Sequence, residues 1–97
     1  MKHAIILAPE AVQDFHRLKP YLRVAVREAM ERHLRYEPTK TSKSRIKRLR
    51  GMRRPQYRLR VDEIRICYDV SEGIVEILAI VPKSQAPSWL EQIGGSG

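Results

Sequence analysis

The chain has 97 residues, of which 42% are hydrophobic and 31% are charged, and its formal net charge at pH 7 is +8. This composition excludes wholesale disorder, and the length suits one domain with a single core. No apolar run approaches the roughly 20 residues of a membrane-spanning helix, so we expect no membrane contact. The short apolar start is too brief for a signal peptide, and the only cysteine, Cys67, excludes an internal disulfide. Both features indicate the reducing cytoplasm.

The chain begins with one predicted strand and two predicted helices. Lys2–Leu7 is rich in β-branched and aliphatic residues, and Pro9 then suits the first turn of a helix. A second helix is predicted over Tyr21–Tyr36, between Pro20 and Pro38. Its apolar stripe recurs at helical spacing and comprises Leu22, Val26, Met30 and Leu34. The two helices are expected to form an antiparallel hairpin.

The second half of the chain has the pattern of β-structure. Apolar and polar residues alternate in Gln56–Val61 and in Ile64–Val70, which predicts two strands with one buried face each. Ile74–Val81 is almost continuously apolar, as in a central strand covered on both faces. Turns are predicted at Asp62–Glu63 and at Ser71–Gly73.

These elements predict an α+β fold of order β-α-α-β-β-β with a short C-terminal helix around Pro87–Gln92. The helical hairpin would pack on one face of a small, mainly antiparallel four-stranded sheet. Residues 1–93 are expected to form a single domain, and residues 94–97 a flexible tail. There are no internal repeats.

Alternation along the strands predicts which side chains share a face. The helices need the apolar face, which holds Tyr57, Leu59, Ile64, Ile66 and Tyr68. Arg58, Arg60 and Arg65 then share the opposite, open face. Guanidinium groups so placed can hold phosphates and stabilise developing negative charge. The alternative interpretation is an ordinary solvent-exposed strand face that carries charged side chains.

Basic residues are concentrated in one segment. Residues 39–61 hold ten Lys or Arg residues and no acid, whereas the rest of the chain has nine basic and eleven acidic residues. Such segregation favours a polyanionic partner over a merely solvated basic loop. The connector before the second strand supplies the predicted RNA contacts: Lys43, Arg45, Lys47, Arg48, Arg50, Arg53 and Arg54.

Two further residues are candidates, and several site types are absent. Trp89 lies in a polar segment and could stack on a base, and Lys83 directly follows the last strand. There is no glycine-rich phosphate loop and no metal-ligand spacing, so we expect neither cofactor nor metal. His3, His16 and His33 are scattered and are interpreted as incidental. Any nuclease chemistry would then use the RNA 2′-hydroxyl as nucleophile.

Three short motifs lie in the second half of the chain: Lys47–Gly51 (KRLRG), Tyr57–Arg60 (YRLR) and Arg65–Tyr68 (RICY). They are similar to the K-L-x-G, Y-x-x-R and Y-R-x-x-Y signature of the RelE/ParE superfamily of bacterial toxins, which nearly the whole chain resembles. The resemblance implies a toxin of a toxin–antitoxin pair. In the RelE branch it implies metal-independent mRNA cleavage on the ribosome by 2′-hydroxyl attack, which inhibits translation.

The RelE-like catalytic positions correspond here to Arg58, Arg60, Arg65, Lys83 and Trp89. The family commonly has lysines at the first two of these, arginine in place of Lys83 and tyrosine in place of Trp89. Because arginine does not deprotonate, Arg58 and Arg60 are expected to orient and stabilise, and Lys83 to carry any proton transfer.

Two alternatives and one partner complete these expectations. The ParE branch inhibits DNA gyrase without nuclease chemistry, and a non-catalytic RNA-binding domain is a third reading. Both toxin interpretations imply a cognate antitoxin with an acidic, partly disordered segment that neutralises the basic surface within a toxin–antitoxin hetero-oligomer.

Overall fold

The computed structural model describes residues 1–95, and its elements confirm the α+β class. The order is β-α-α-β-β-β-β-α. The elements are β1 Ala4–Leu7, α1 Pro9–Arg17, α2 Pro20–Leu34, β2 Ile46–Arg48, β3 Tyr57–Val61, β4 Ile64–Ser71, β5 Ile74–Pro82 and α3 Ala86–Gly95. A proline begins each helix of the hairpin, where its missing N–H costs no hydrogen bond. No helix in residues 1–95 has the length and apolar character needed to cross a membrane.

The sheet has five strands in the order β1-β5-β4-β3-β2, one more than predicted. The additional strand, β2, lies in the segment interpreted as a connector. It has three residues, two of them cationic, so no alternation identifies it. It forms because its backbone pairs antiparallel with β3, where Ile46 lies opposite Leu59 and Arg48 opposite Tyr57. Long-range pairing, which leaves no local pattern, creates this strand.

The two helices cover one face of the sheet, as predicted. Val26, Met30 and Leu34 of α2 are buried in one cluster with Leu59 and Ile66 of the sheet. Removing this apolar surface from water is the main force that holds the hairpin on the sheet. α1 and α2 thereby leave the strands' other side chains on the far face.

The last strand lies inside the sheet. β5 pairs parallel with β1 and antiparallel with β4. Its register with β4 shifts between Cys67, which lies opposite Ala79, and Tyr68, which lies opposite Ile77. This irregularity lets both Ile77 and Ile80 reach the helix-covered core although they are three positions apart.

The far face is not open over its whole width, which corrects the prediction. α3 packs over β4 and β5, where Ala86 joins a buried cluster with Cys67, Ala79 and Val81. These three side chains are small and apolar, so they gain from a cover that excludes water. The far-face side chains of β2 and β3, and Arg65 of β4, lie outside this cluster.

The C-terminal helix is longer than predicted. α3 continues to Gly95, so Gly94 and Gly95 belong to the helix and not to the expected tail. The remaining tail positions, Ser96 and Gly97, lie outside the described residues.

Candidate functional site

Five cations share the uncovered part of the far face. Arg60 of β3 lies opposite Arg65 of β4, and its N–H donates to the carbonyl of Arg45 at 2.9 Å. In the neighbouring row Arg58 lies opposite Lys47. We call these five residues, Arg45, Lys47, Arg58, Arg60 and Arg65, the basic patch. Since residues opposite each other in a sheet have side chains on the same face, the patch presents its charges together.

The basic patch surrounds a small pocket of about 110 Å³. The loop before β2 closes one side of it with Ser42, Lys43 and Ser44. No acid is found among the described residues that line the pocket. Hydroxyl and cationic groups around a small concavity are the donors that hold a phosphate group.

Arg65 is the buried member of the basic patch, which the sequence did not predict. Only 7% of its surface is exposed, and it lies opposite Val81, which belongs to the cluster under α3. Its Nη1 donates to the carbonyls of Asp62 at 2.8 Å and Ile64 at 3.1 Å. Burial, and then the charges of Arg58 and Arg60, lower the pKa of Arg65. An arginine so held remains protonated at neutral pH and presents its charge in a fixed orientation.

The loop that borders the pocket is held by its own hydrogen bonds. The Ser42 hydroxyl accepts from the N–H of Arg45 at 3.0 Å and from the N–H of Ile46 at 3.4 Å. The Ser42 N–H in turn donates to the carbonyl of Ile46 at 2.9 Å. The Arg45 guanidinium also donates to the carbonyl of Arg60 at 3.3 Å, which ties the loop to β3.

The structure places neither Lys83 nor Trp89 in the lining of the patch pocket. Lys83 is exposed, and its backbone N–H donates at 2.7 Å to the carbonyl of Glu63, two residues before Arg65 in the β3–β4 hairpin. Trp89 is half-buried against the Cys67 cluster and lines grooves with Glu10 of α1. The structure therefore does not bring these two candidates together with the strand arginines.

The other predicted RNA contacts are dispersed. The Arg48 guanidinium lies 5.0 Å from the centre of the Tyr57 ring, which belongs to the helix-covered side. Arg54 is ion-paired with Asp69 at 2.8 Å and with Glu76 at 3.1 Å. Lys43 joins the patch pocket, and Arg50 and Arg53 are exposed in the turn before β3. Of the seven connector cations, therefore, only Lys43, Arg45 and Lys47 meet the strand arginines.

One residue interpreted as incidental lies in a basic environment. His33 on α2 is partly buried, and burial together with the charges of Arg45 and Arg32 lowers its pKa. Arg45 is twelve positions away along the chain, so no spacing in the sequence signals this contact.

Two other chemistries receive no support from the geometry. No group of His, Cys, Asp or Glu residues within the part of the chain that the structure describes could hold a metal ion. Cys67 is buried, and burial raises the pKa of its thiol to about 12, so it is not a nucleophile. The basic patch is suited to binding an anion.

Comparison with known proteins assigns the family. A family model described as the ParE toxin of a type II toxin–antitoxin system, parDE, matches residues 5–87. The chain belongs to this family. The match confirms the resemblance to the RelE/ParE superfamily, and it makes the chain the toxin component of a toxin–antitoxin system. No curated protein matches the chain.

Solved structures share the fold of this ParE-family toxin. The RelBE2 toxin–antitoxin complex of Mycobacterium tuberculosis is 24% identical, with a TM-score of 0.72 over 84% of this chain and 99% of that one. The archaeal RelE–RelB complex of Pyrococcus horikoshii is 24% identical, with a TM-score of 0.71 over 89% and 100%. A mutant of the E. coli toxin RelE in the free state, with two arginines replaced by alanine, is 16% identical, with a TM-score of 0.71 over 99% and 97%.

Proposed function

We propose that this toxin is a ribosome-dependent mRNA endoribonuclease whose basic patch holds the scissile phosphate. The observation that carries the proposal is the pairing of Arg60 with Arg65 and of Arg58 with Lys47 around one pocket. Like charges directly opposite each other in a sheet are destabilising. Their retention on one face is accounted for by an anionic ligand that offsets the repulsion.

The reaction needs no metal ion. The 2′-hydroxyl oxygen attacks the adjacent phosphorus, the bond from phosphorus to the 5′-oxygen breaks, and the products carry a cyclic 2′,3′-phosphate and a 5′-hydroxyl. One proton leaves the 2′-hydroxyl and one reaches the departing oxygen. Arg58, Arg60 and Arg65 stabilise the extra negative charge of the pentavalent state. The fixed Arg65 guanidinium contributes most, because it need not reorganise during the reaction.

Proton transfer falls to a lysine. Arginine does not release its proton near neutral pH, so Arg58, Arg60 and Arg65 stabilise charge without acting as bases. We assign the transfer to Lys83, which follows β5 and whose backbone N–H donates to the carbonyl of Glu63 in the β3–β4 turn, although Lys83 does not line the pocket. Lys47, opposite Arg58 in the pocket, is the second candidate.

Cleavage of mRNA on purified ribosomes, with mapped RNA ends, tests the proposal. Arg58→Ala and Arg65→Ala should each lower the cleavage rate by roughly 10²–10³-fold, as expected for loss of a transition-state donor. Lys83→Ala and Lys47→Ala identify the proton-transfer group. Lys19→Ala, which removes an exposed charge next to α2, is the matched control. Unchanged cleavage by both Arg65→Ala and Lys83→Ala would refute the assignment.

An antitoxin with an acidic segment is the proposed protein partner. The similar M. tuberculosis and P. horikoshii structures are complexes with antitoxins. Here an acidic segment would neutralise the basic patch and occlude its pocket. The affinity of toxin for antitoxin should fall as salt is added. An affinity independent of salt would instead indicate a mainly apolar interface.

Inhibition of DNA gyrase is the second candidate function. It is favoured by the family match itself, since the matching description is that of a ParE toxin. The position of Trp89, away from the pocket, also departs from the RelE-like arrangement. Induction in cells separates the two functions: mRNA cleavage within codons supports the nuclease, and filamentation with an SOS response supports gyrase inhibition.

A further inference from the structure

A second basic cavity lies on the other side of edge strand β2. It has a volume of about 260 Å³ and lies between the C-terminal end of α2 and the loop that leads into β2. We call it the α2 cavity. Its polar lining comprises Arg32, His33, Glu37, Lys40, Thr41, Ser42 and Arg45.

The α2 cavity and the patch pocket share three residues. Ser42, Arg45 and Ile46 line both of them. Arg45 is fixed in this position by two contacts with Arg60, one from its carbonyl and one from its guanidinium. The two cavities therefore form a continuous cationic path around the edge of the sheet.

The charge of the α2 cavity is positive after its internal ion pair is counted. Its acid, Glu37, is paired with Lys40 at 3.6 Å. Arg32 has no ion pair within residues 1–95, although Glu28 is one helical turn away. Arg32 and Arg45 thus contribute two positive charges beside His33 that form no ion pair among the described residues.

We propose that the α2 cavity is a second phosphate subsite, which holds a neighbouring phosphate of the RNA strand whose scissile phosphate lies in the basic patch. This inference rests on the proposed nuclease function and extends it. Successive phosphates of a single strand match cations placed in sequence along a surface, and each such contact strengthens binding by releasing counterions. An acidic protein segment would also supply negative charge, but its carboxylates do not have the regular spacing of phosphates along a strand.

His33 reports occupancy of the α2 cavity. Without an anion, burial and the charges of Arg45 and Arg32 favour its neutral form. A bound phosphate would offset those two charges and accept a hydrogen bond from the imidazolium. Glu37 and Lys40 from the adjoining loop, and Glu28 and Asp62 from α2 and the β3–β4 turn, also face this region. Binding should therefore be accompanied by proton uptake at His33.

NMR titration of the His33 ring signals gives the first test. With inorganic phosphate, and then with a 2′-deoxy oligonucleotide that resists cleavage, the pKa of His33 should rise relative to the ligand-free protein. His16, exposed on α1, is the internal control and should not respond. A His33 pKa that is unchanged by both ligands would overturn the proposal.

Oligonucleotide length gives the second test. Arg32→Ala should weaken binding of an eight-nucleotide 2′-deoxy strand and lower the slope of log K against log salt by about 0.7, the value for one phosphate contact in a single strand. Binding of a dinucleotide, which occupies only the patch, should be unchanged. Arg32→Lys should restore the slope, and Lys19→Ala should not affect either ligand.

The outcomes separate this inference from the proposed function. If Arg32→Ala leaves both affinities unchanged while ribosomal cleavage persists, the second subsite is wrong and the nuclease stands. If no cleavage occurs on ribosomes but Arg32→Ala still weakens binding of the long strand alone, the second subsite is right and the protein binds RNA without cleaving it. If Arg32→Ala weakens only an acidic peptide of the antitoxin, the α2 cavity is a protein-docking site and the subsite is wrong.

Discussion

Arg60 and Arg65 lie directly opposite each other across the β3–β4 hairpin, one exposed and the other buried. The hairpin joins them through a turn in which Asp62 has a φ of 52°. The pair thus combines close like charges with a rigid backbone. This arrangement suits a site that binds an anion. It lowers the stability of the protein when no anion is bound.

Arg60→Gln should stabilise the free protein and weaken its RNA binding. The change relieves repulsion with Arg65, and like-charged cross-strand pairs typically cost about 0.2–1 kcal/mol. The free energy of unfolding, measured by urea denaturation at low salt, should rise by an amount in this range. The gain should shrink at high salt, because screening already weakens the repulsion. A lower stability at low salt would contradict the interpretation.

Tyr68→Phe should destabilise the protein by about 1–3 kcal/mol, the cost of leaving a buried carbonyl unsatisfied. The buried Tyr68 hydroxyl donates to the carbonyl of Pro38 at 2.6 Å, and burial raises its pKa, so it stays a donor. The measurement is the urea midpoint at constant m-value. Tyr57→Phe is the matched control, since the Tyr57 ring stacks on Tyr68 at 5.6 Å and contacts the Arg48 guanidinium, and a phenylalanine ring retains both contacts. Equal losses of stability in both variants would show that the hydrogen bond from Tyr68 to Pro38 has no specific role.

Cys67 should resist alkylation in the folded protein. Burial raises the pKa of its thiol to about 12, so very little thiolate forms at pH 8, and α3 covers the residue. Iodoacetamide labelling followed by mass spectrometry should be slow in buffer and fast in urea. Rapid labelling without denaturant would mean that α3 opens readily from β4 and β5.

The stability of the free toxin should fall as the pH is lowered from 7.5 to 5.5. The pKa of His33 is lowered from 6.5 in the fold, mainly by burial, so the unfolded chain binds the proton more readily. His33 therefore contributes its full stabilisation to the fold at pH values above its pKa in the unfolded chain, and this stabilisation is lost as the pH falls below that value. The pKa of Glu31, lowered by its bond to Arg35, affects stability only at more acidic pH. Urea midpoints at both pH values measure the loss, and His33→Gln should reduce it.

The faces of the strands and helices could be predicted from the sequence. Alternation in β3 and β4 assigns Leu59 and Ile66 to the core and Arg58 and Arg60 to the far face, and the structure agrees. The helical stripe through Val26 and the prolines at the helix starts are equally local features. Periodicity reports such features because it depends only on the geometry of one element.

Other features required the tertiary structure. β2 exists because its backbone pairs with β3, with Lys47 opposite Arg58, and the burial of Arg65 is a property of the folded chain. The proximity of His33 to Arg45 likewise arises from packing of α2 near the edge of the sheet. The sequence alone determined which charges this protein carries and on which face of each strand they lie. Only the fold decided which charges became neighbours, because cross-strand register and helix packing join residues that no local pattern connects.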